Sequence, residues 1–120
     1  MNKEDMTNKR EIGTEHETEA CAYLEESGYE IVEKNFRRKE GEIDIIARDG
    51  AYLVFIEVKY RADDRYGGAS YAISVSKQHR IRAVARVFLN ERGHCGCRYF
   101  RFDAILITGD KLEQIKNAWQ

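Results

Sequence analysis

The sequence has no proline, no repeat and no low-complexity or linker-like stretch, so nothing divides its 120 residues into separate units. One domain of ordinary size is expected, large enough to bury a modest core. No run approaches the roughly 20 uncharged apolar residues of a membrane span, so no membrane partner is expected. The N-terminal Met1-Asn2-Lys3-Glu4-Asp5 lacks the apolar core of a signal peptide, which points to the cytoplasm. Cysteine is scarce: Cys21, Cys95 and Cys97 make an odd count. With His94, the last two fall short of the four ligands of a structural zinc site, so reduced thiols are expected.

A net charge of −1 excludes a strongly basic protein but hides an asymmetry. Residues 1–30 carry 3 Lys+Arg against 9 Asp+Glu, and residues 31–120 carry 17 against 12. From Arg65 to Asn90 there is no acidic residue. Arg65, Lys77, Arg80, Arg82 and Arg86 all fall there, which permits a basic face suited to a phosphate backbone or an ordinary solvated helix face.

Apolar spacing predicts a helix over 9–27 with Ile12, Ala20, Tyr23 and Leu24 on one stripe, closed by Gly28. Residues 1–8 are polar, and a disordered N-terminus is expected ahead of one domain at 9–120. Strands are expected over 29–38, 42–47 and 52–60, with Asp49-Gly50 as a hairpin turn between the last two. A loop over 61–73 contains Gly67-Gly68 and reads either as a plain connector or as a segment that closes over substrate. Ser74 is a good N-cap for a helix over 75–92 with Ile81, Val84, Ala85 and Phe88 buried and Gly93 at its end. Strands over 99–108 and 111–118 complete an α/β architecture, a central mixed sheet flanked by helices.

Charges interrupt this pattern where a strand should be covered. Leu53-Val54-Phe55-Ile56 is apolar on both faces, yet Glu57 and Lys59 follow on the face of Leu53 and Phe55. A Glu and a Lys there are costly unless paired or liganded, or unless the strand has already emerged into solvent. Asp44 sits between Ile43 and Ile45 in the neighbouring strand, and hairpin counting from Asp49-Gly50 places it near residue 55. Adjacent carboxylates repel unless a proton or cation joins them. Glu17, beside the buried stripe of the first helix, is placed to complete the cluster. Oxygen donors of this kind suit Mg²⁺ or Mn²⁺.

Asp44 followed by Glu57-x-Lys59 resembles the motif of the PD-(D/E)XK nuclease superfamily, with a preceding helical Glu as in Holliday-junction resolvases. A fuller resemblance, from Gly13 to Trp119, is to the YraN family of small bacterial proteins. It runs through Glu17-x-x-Ala20-x-x-Tyr23-Leu24, Gly41-Glu42-Ile43-Asp44-Ile45-Ile46-Ala47, Leu53-Val54-Phe55-Ile56-Glu57-Val58-Lys59-x-Arg61, Lys77-x-x-Arg80, Arg101-Phe102-Asp103 and Asn117-Ala118-Trp119. His16 departs from the glycine usual there, and a tolerated substitution is favoured over an added ligand. The resemblance implies a restriction-endonuclease-like fold with Glu17, Asp44, Glu57 and Lys59 at the active centre. In that reading Asp44, Glu57 and Glu17 hold the metal, and Lys59 orients or activates water.

Arg37, Arg38, Arg61, Arg65, Lys77, Arg80, Arg82 and Arg86 are the candidates for nucleic-acid contact, with DNA preferred to RNA. Arg101 and Asp103 read as a structural ion pair, and Trp119 as a packing residue. Two functions are carried forward. One is a metal-dependent endonuclease, with branched DNA among its substrates. The other is a nucleic-acid-binding or adaptor module of the same fold. A homodimer and a protein partner are compatible with either.

Overall fold

The computed structural model describes residues 3–61 and 73–119. Helix α1 spans Lys3–Glu26, so its start lies within the segment expected to be disordered. It ends where Gly28 adopts φ +93° and the Tyr29 N–H turns back to the Leu24 carbonyl at 2.9 Å. Only glycine enters that conformation at little cost, which is why the helix stops here. Strands β1 (Glu30–Arg38), β2 (Gly41–Asp49) and β3 (Tyr52–Arg61) form an antiparallel meander. Helix α2 (Val75–Arg92) then crosses to β4 (Tyr99–Thr108), which lies parallel to β3, and β5 (Lys111–Ile115) closes the sheet. The order β1-β2-β3-β4-β5 makes a mixed sheet with two helices, consistent with a restriction-endonuclease-like arrangement.

The two faces bury separate cores. Ala20, Cys21 and Leu24 of α1 pack on Ile45, Ala47, Val54, Ile56, Ile105 and Ile107. On the other face Ile81, Val84, Ala85 and Phe88 of α2 pack on Phe36, Ile43, Ile46, Leu53 and Phe55. Ser74 caps α2 by accepting from the Lys77 N–H at 3.1 Å, and Gly93 ends it. Because β3 is covered by helices on both faces, its run Leu53–Ile56 is apolar throughout.

One expectation about register changes. Asp49 pairs with Tyr52, so the turn is Gly50-Ala51 rather than Asp49-Gly50. The shift moves the partner of residue 46 to Phe55. Asp44 therefore lies in line with Glu57, one step past the last ladder pair Ile45↔Ile56, instead of near residue 55. Among the described residues no helix is long and apolar enough to cross a membrane.

The ionic network around Asp103 on β4 is structural. Asp103 is fully buried and accepts both arms of Arg101 at 2.9 and 3.0 Å, the Gln114 amide at 2.9 Å and the Asn117 N–H at 2.9 Å. Arg101 also reaches Asp49 and the Tyr29 hydroxyl. Burial opposes the charge on Arg101, but its bonds to Asp103 outweigh that and raise its pKa. A buried carboxylate this fully satisfied fixes β5 and the C-terminal segment against β4. Trp119 is buried and stacks on Phe102 at 5.4 Å. The cysteines are free thiols.

Candidate active site

The end of β3 and the start of β2 meet beneath the N-terminal turns of α2, at the edge where both cores run out. Glu57 is 7% exposed there, so β3 has not emerged into solvent when its charges begin. Burial of a carboxylate demands a partner. The ammonium of Lys77, from the first turn of α2, supplies it as an ion pair. Lys77 itself is half exposed, which makes the pair adjustable.

Asp44 is held by a different device. Its Oδ2 accepts the Val58 N–H at 2.8 Å, a strand donor beyond the last β2–β3 ladder pair. Its pKa is pushed up to about 7. Burial is the largest cause, the Val58 N–H works against it, and the carboxylates of Glu57, Glu17 and Glu42 add to it. An acid this reluctant to ionise calls for a proton or a cation.

Glu17 approaches from α1. Its carboxyl is also raised, first by burial, with an opposing hydrogen bond from Asn35 and a further rise from Glu42. Asn35 sits inside β1 at φ +55°, a left-handed conformation that asparagine tolerates better than most residues. Oxygens of Glu17, Glu42 and Asp44 all lie within 4.8 Å of one another. Asp44 thus joins two groups, with Glu17 and Glu42 on one side and Glu57 on the other.

An open cleft of about 260 Å³ exposes carboxylates of both groups. Asp44, Glu42 and Glu57 line one wall, with Lys77, Arg80 and Ile81 of α2 opposite. Gly41 forms the floor at φ +150°, where a Cβ would rest 3.5 Å from Arg80 Cβ and Val84 Cγ2. Glycine here lets β2 begin close under the helix in a backbone conformation other residues rarely adopt. The α2 N-terminus, with no acidic residue in its first turn, adds partial positive charge to that wall.

The structure thus brings Glu17, Asp44, Glu57, Lys77 and Arg80 to one edge of the sheet. Lys59 follows Glu57 on the same face but is exposed and does not line the cleft. Arg37 stands at the rim, bound to Glu42 at 3.2 Å. Arg38 turns away and grips Glu91 with two bonds at 2.8 and 2.6 Å. Arg61 is half-buried at the end of β3. Arg82 and Arg86 lie on the other flank of α2. Arg65, with Tyr66, Gly67, Gly68 and Tyr71, lies outside the described residues.

Two contributors escaped the sequence reading. Glu42 was readable, because it shares the two-residue strand period with Asp44. Asn35 carried only a weak local signal, an asparagine inside a strand.

His16 does not line the cleft. It stacks on Tyr60 with ring centroids 3.8 Å apart and lies 3.3 Å from Glu19. Replacing His16 by Ala is expected to lower stability by about 0.5–1.5 kcal/mol, the worth of an aromatic pair. The response to divalent metal should be untouched. Urea unfolding with and without Mn²⁺ checks both, and a lost metal response would return His16 to the site.

Comparison with known proteins places the chain. Residues 16–107 match the profile of "Uncharacterised protein family UPF0102". A "UPF0102 protein" of Dechloromonas aromatica is 45% identical over 107 residues, covering 89% of this chain and 87% of its own. One from Lachnoclostridium phytofermentans is 42% identical, covering 93% and 95%, and one from Clostridium botulinum is 44% identical, covering 92% and 95%. These matches span Glu17, Asp44, Glu57 and Lys77 alike, and the chain belongs to the UPF0102 family, the YraN family its motifs resemble.

Proposed function

We propose that the protein is a nuclease that hydrolyses phosphodiester bonds of nucleic acid, DNA before RNA, with Mg²⁺ or Mn²⁺ as cofactor. The observation that carries this reading is Asp44. Its carboxyl is crowded by three others, has a pKa near 7, and opens onto a cleft whose far wall is cationic. The donor set fits a hard divalent ion: carboxylate oxygens of three residues, close enough to share one centre. Glu17, Glu42 and Asp44 would hold it as they stand, and Glu57 would join once Lys77 leaves it. Such an ion, when bound, polarises a phosphate and lowers the pKa of water beside it. Arg80 and Lys77 face the carboxylates across the cleft, and in this reading they bind phosphate oxygens. The resemblance of Asp44, Glu57 and Lys59 to the PD-(D/E)XK motif supports the same chemistry.

A second reading is favoured by the Lys77–Glu57 ion pair. In a nucleic-acid-binding or adaptor module the ammonium would hold Glu57 permanently, in the place an ion takes in an enzyme. Incubation with Mn²⁺ or Mg²⁺ and a panel of single-stranded, duplex, flapped and four-way DNA, plus RNA, separates the two. Metal-dependent cutting that disappears in Glu57→Ala is the expected result. Cutting that survives in Glu57→Ala would remove the active-site assignment. Salt-sensitive binding with no cutting would establish the module.

A further inference from the structure

Between the far flank of α2 and β4 lies a second open groove of about 290 Å³. Phe55, Phe100 and Phe102 form its sheet side, Ala85 lies on the helix side, and Arg82 and Arg86 stand over it. Among the described residues no acidic one lines it. Three features ask for an explanation. Phe100 is 42% exposed, although it stands on the face of the sheet that buries the α2 core. Phe102 has both neighbours in place, stacked on Phe55 at 5.6 Å and on Trp119 at 5.4 Å, whereas among the described residues Phe100 meets only the ring of His94, tilted 45° to it. One terminal nitrogen of Arg82, Nη2, is buried with no acceptor among the described residues. Buried donors are nearly always satisfied, so a missing acceptor points to something that binds.

We infer that this groove binds nucleic acid as a single strand, one unstacked base lying on Phe100 and its phosphate accepting from Arg82 and Arg86. The inference rests on the reading that the protein acts on nucleic acid. A volume near the lower end of the roughly 300–1,000 Å³ of small-molecule pockets admits one base and little more. Base stacking on an aromatic ring with arginine at the phosphate is the general means of holding single strands without reading sequence. A continuous anion also fits the charge on α2. Lys77 and Arg80 face the acidic cleft, and Arg82 and Arg86 face the groove. The helix rises about 13.5 Å over the nine residues from Lys77 to Arg86, so one strand can touch both flanks. A duplex, whose bases stay stacked, has no ring to offer Phe100.

Phe100 and Arg86 are exposed, so Phe100→Ala and Arg86→Gln should fold, which circular dichroism checks. The test is fluorescence anisotropy of a labelled oligothymidylate and of a matched duplex, in chelator so that nothing is cut. Each variant is expected to bind the single strand about ten-fold more weakly. Arg86→Gln should also flatten the salt dependence by about 0.7 in logarithmic slope, while duplex binding changes little. Single-strand affinity unchanged in both variants would overturn the groove and leave the cleft's reading standing, since metal binding and cutting are measured separately. A wild-type protein with no affinity for any oligonucleotide would overturn both. Binding of an acidic peptide ending in phenylalanine, but of no oligonucleotide, lost in both variants, would reassign the groove to a protein partner.

Discussion

Asp44→Asn is expected to make the folded protein more stable above pH 7 while removing its response to divalent metal. The folded carboxyl has a pKa of about 7 against 3.8 for the free group. Between those values the native state holds a proton that the unfolded chain has released. Stability attributable to this group therefore falls as pH rises through that window, and below about pH 4 both states are protonated and the effect vanishes. At pH 8 the native protein carries an ionised carboxylate beside Glu17, Glu42 and Glu57. Asparagine keeps an oxygen for the Val58 N–H and removes that charge. The gain should be about 1–3 kcal/mol at pH 8, less than the full shift because neighbouring groups adjust. It should shrink towards pH 4. Saturating Mn²⁺ at pH 8 should stabilise the wild type by about 2.7 kcal/mol at one hundred times Kd. The variant, lacking the donor common to both carboxylate groups, should show little of this and no metal-dependent cutting. Urea unfolding at pH 4, 6 and 8, each with and without Mn²⁺, tests every part. Parallel pH profiles for the two proteins would show that Asp44 is not a strained acid.

The stability gain and the functional loss have one origin. A site that binds a cation tightly must gather anions before the cation arrives, and the fold opposes their repulsion elsewhere. Here the opposition comes from the two cores that clamp β2 and β3 between α1 and α2. The cluster also gains from the ladder's end, because Asp44 takes a backbone donor that no strand neighbour claims.

How much of this was legible follows from how local each signal is. Helix α2 could be read residue by residue, because Ser74, Gly93 and the Ile81-Val84-Ala85-Phe88 stripe are all within its own length. Glu57 stood out because a two-residue period carries it onto a covered face, and the structure buries it. The hairpin register was not legible, since Asp49-Gly50 and Gly50-Ala51 are both acceptable turns and only cross-strand packing chooses between them. The sequence also offered Lys59 as the ammonium of the site, by adjacency to Glu57. Lys77 reaches Glu57 through tertiary contact, twenty residues on, and no local pattern announces that pair. The basic run was visible, but its division between two flanks of one helix depends on where the sheet lies beneath it.

The Lys77–Glu57 pair yields the second large effect. Lys77→Met is expected to tighten metal binding and weaken cutting at once. The ammonium now neutralises a buried Glu57, and any ion that recruits Glu57 must first displace it. Lys77 is 47% exposed, so the pair lies between a surface salt bridge of under 1 kcal/mol and a buried one of several. Removing the competitor should raise Mn²⁺ affinity by about five-fold, an energy of about 1 kcal/mol. Without metal the variant should lose stability by about 1–2 kcal/mol, because a buried Glu57 loses the Lys77 ammonium. Cutting should nevertheless fall by about 100-fold, since the cleft loses a cation from the wall that faces the phosphate. Titration calorimetry, urea unfolding and the cutting assay read the three quantities separately. Lys59→Met is the matched control, expected to leave Mn²⁺ affinity unchanged because Lys59 does not line the cleft. If Lys59→Met abolishes cutting while Lys77→Met leaves it intact, the motif lysine is the working one and Lys77 only neutralises Glu57. If Lys77→Met moves metal affinity and cutting in opposite directions, one residue guards the site when empty and contacts phosphate when it is filled.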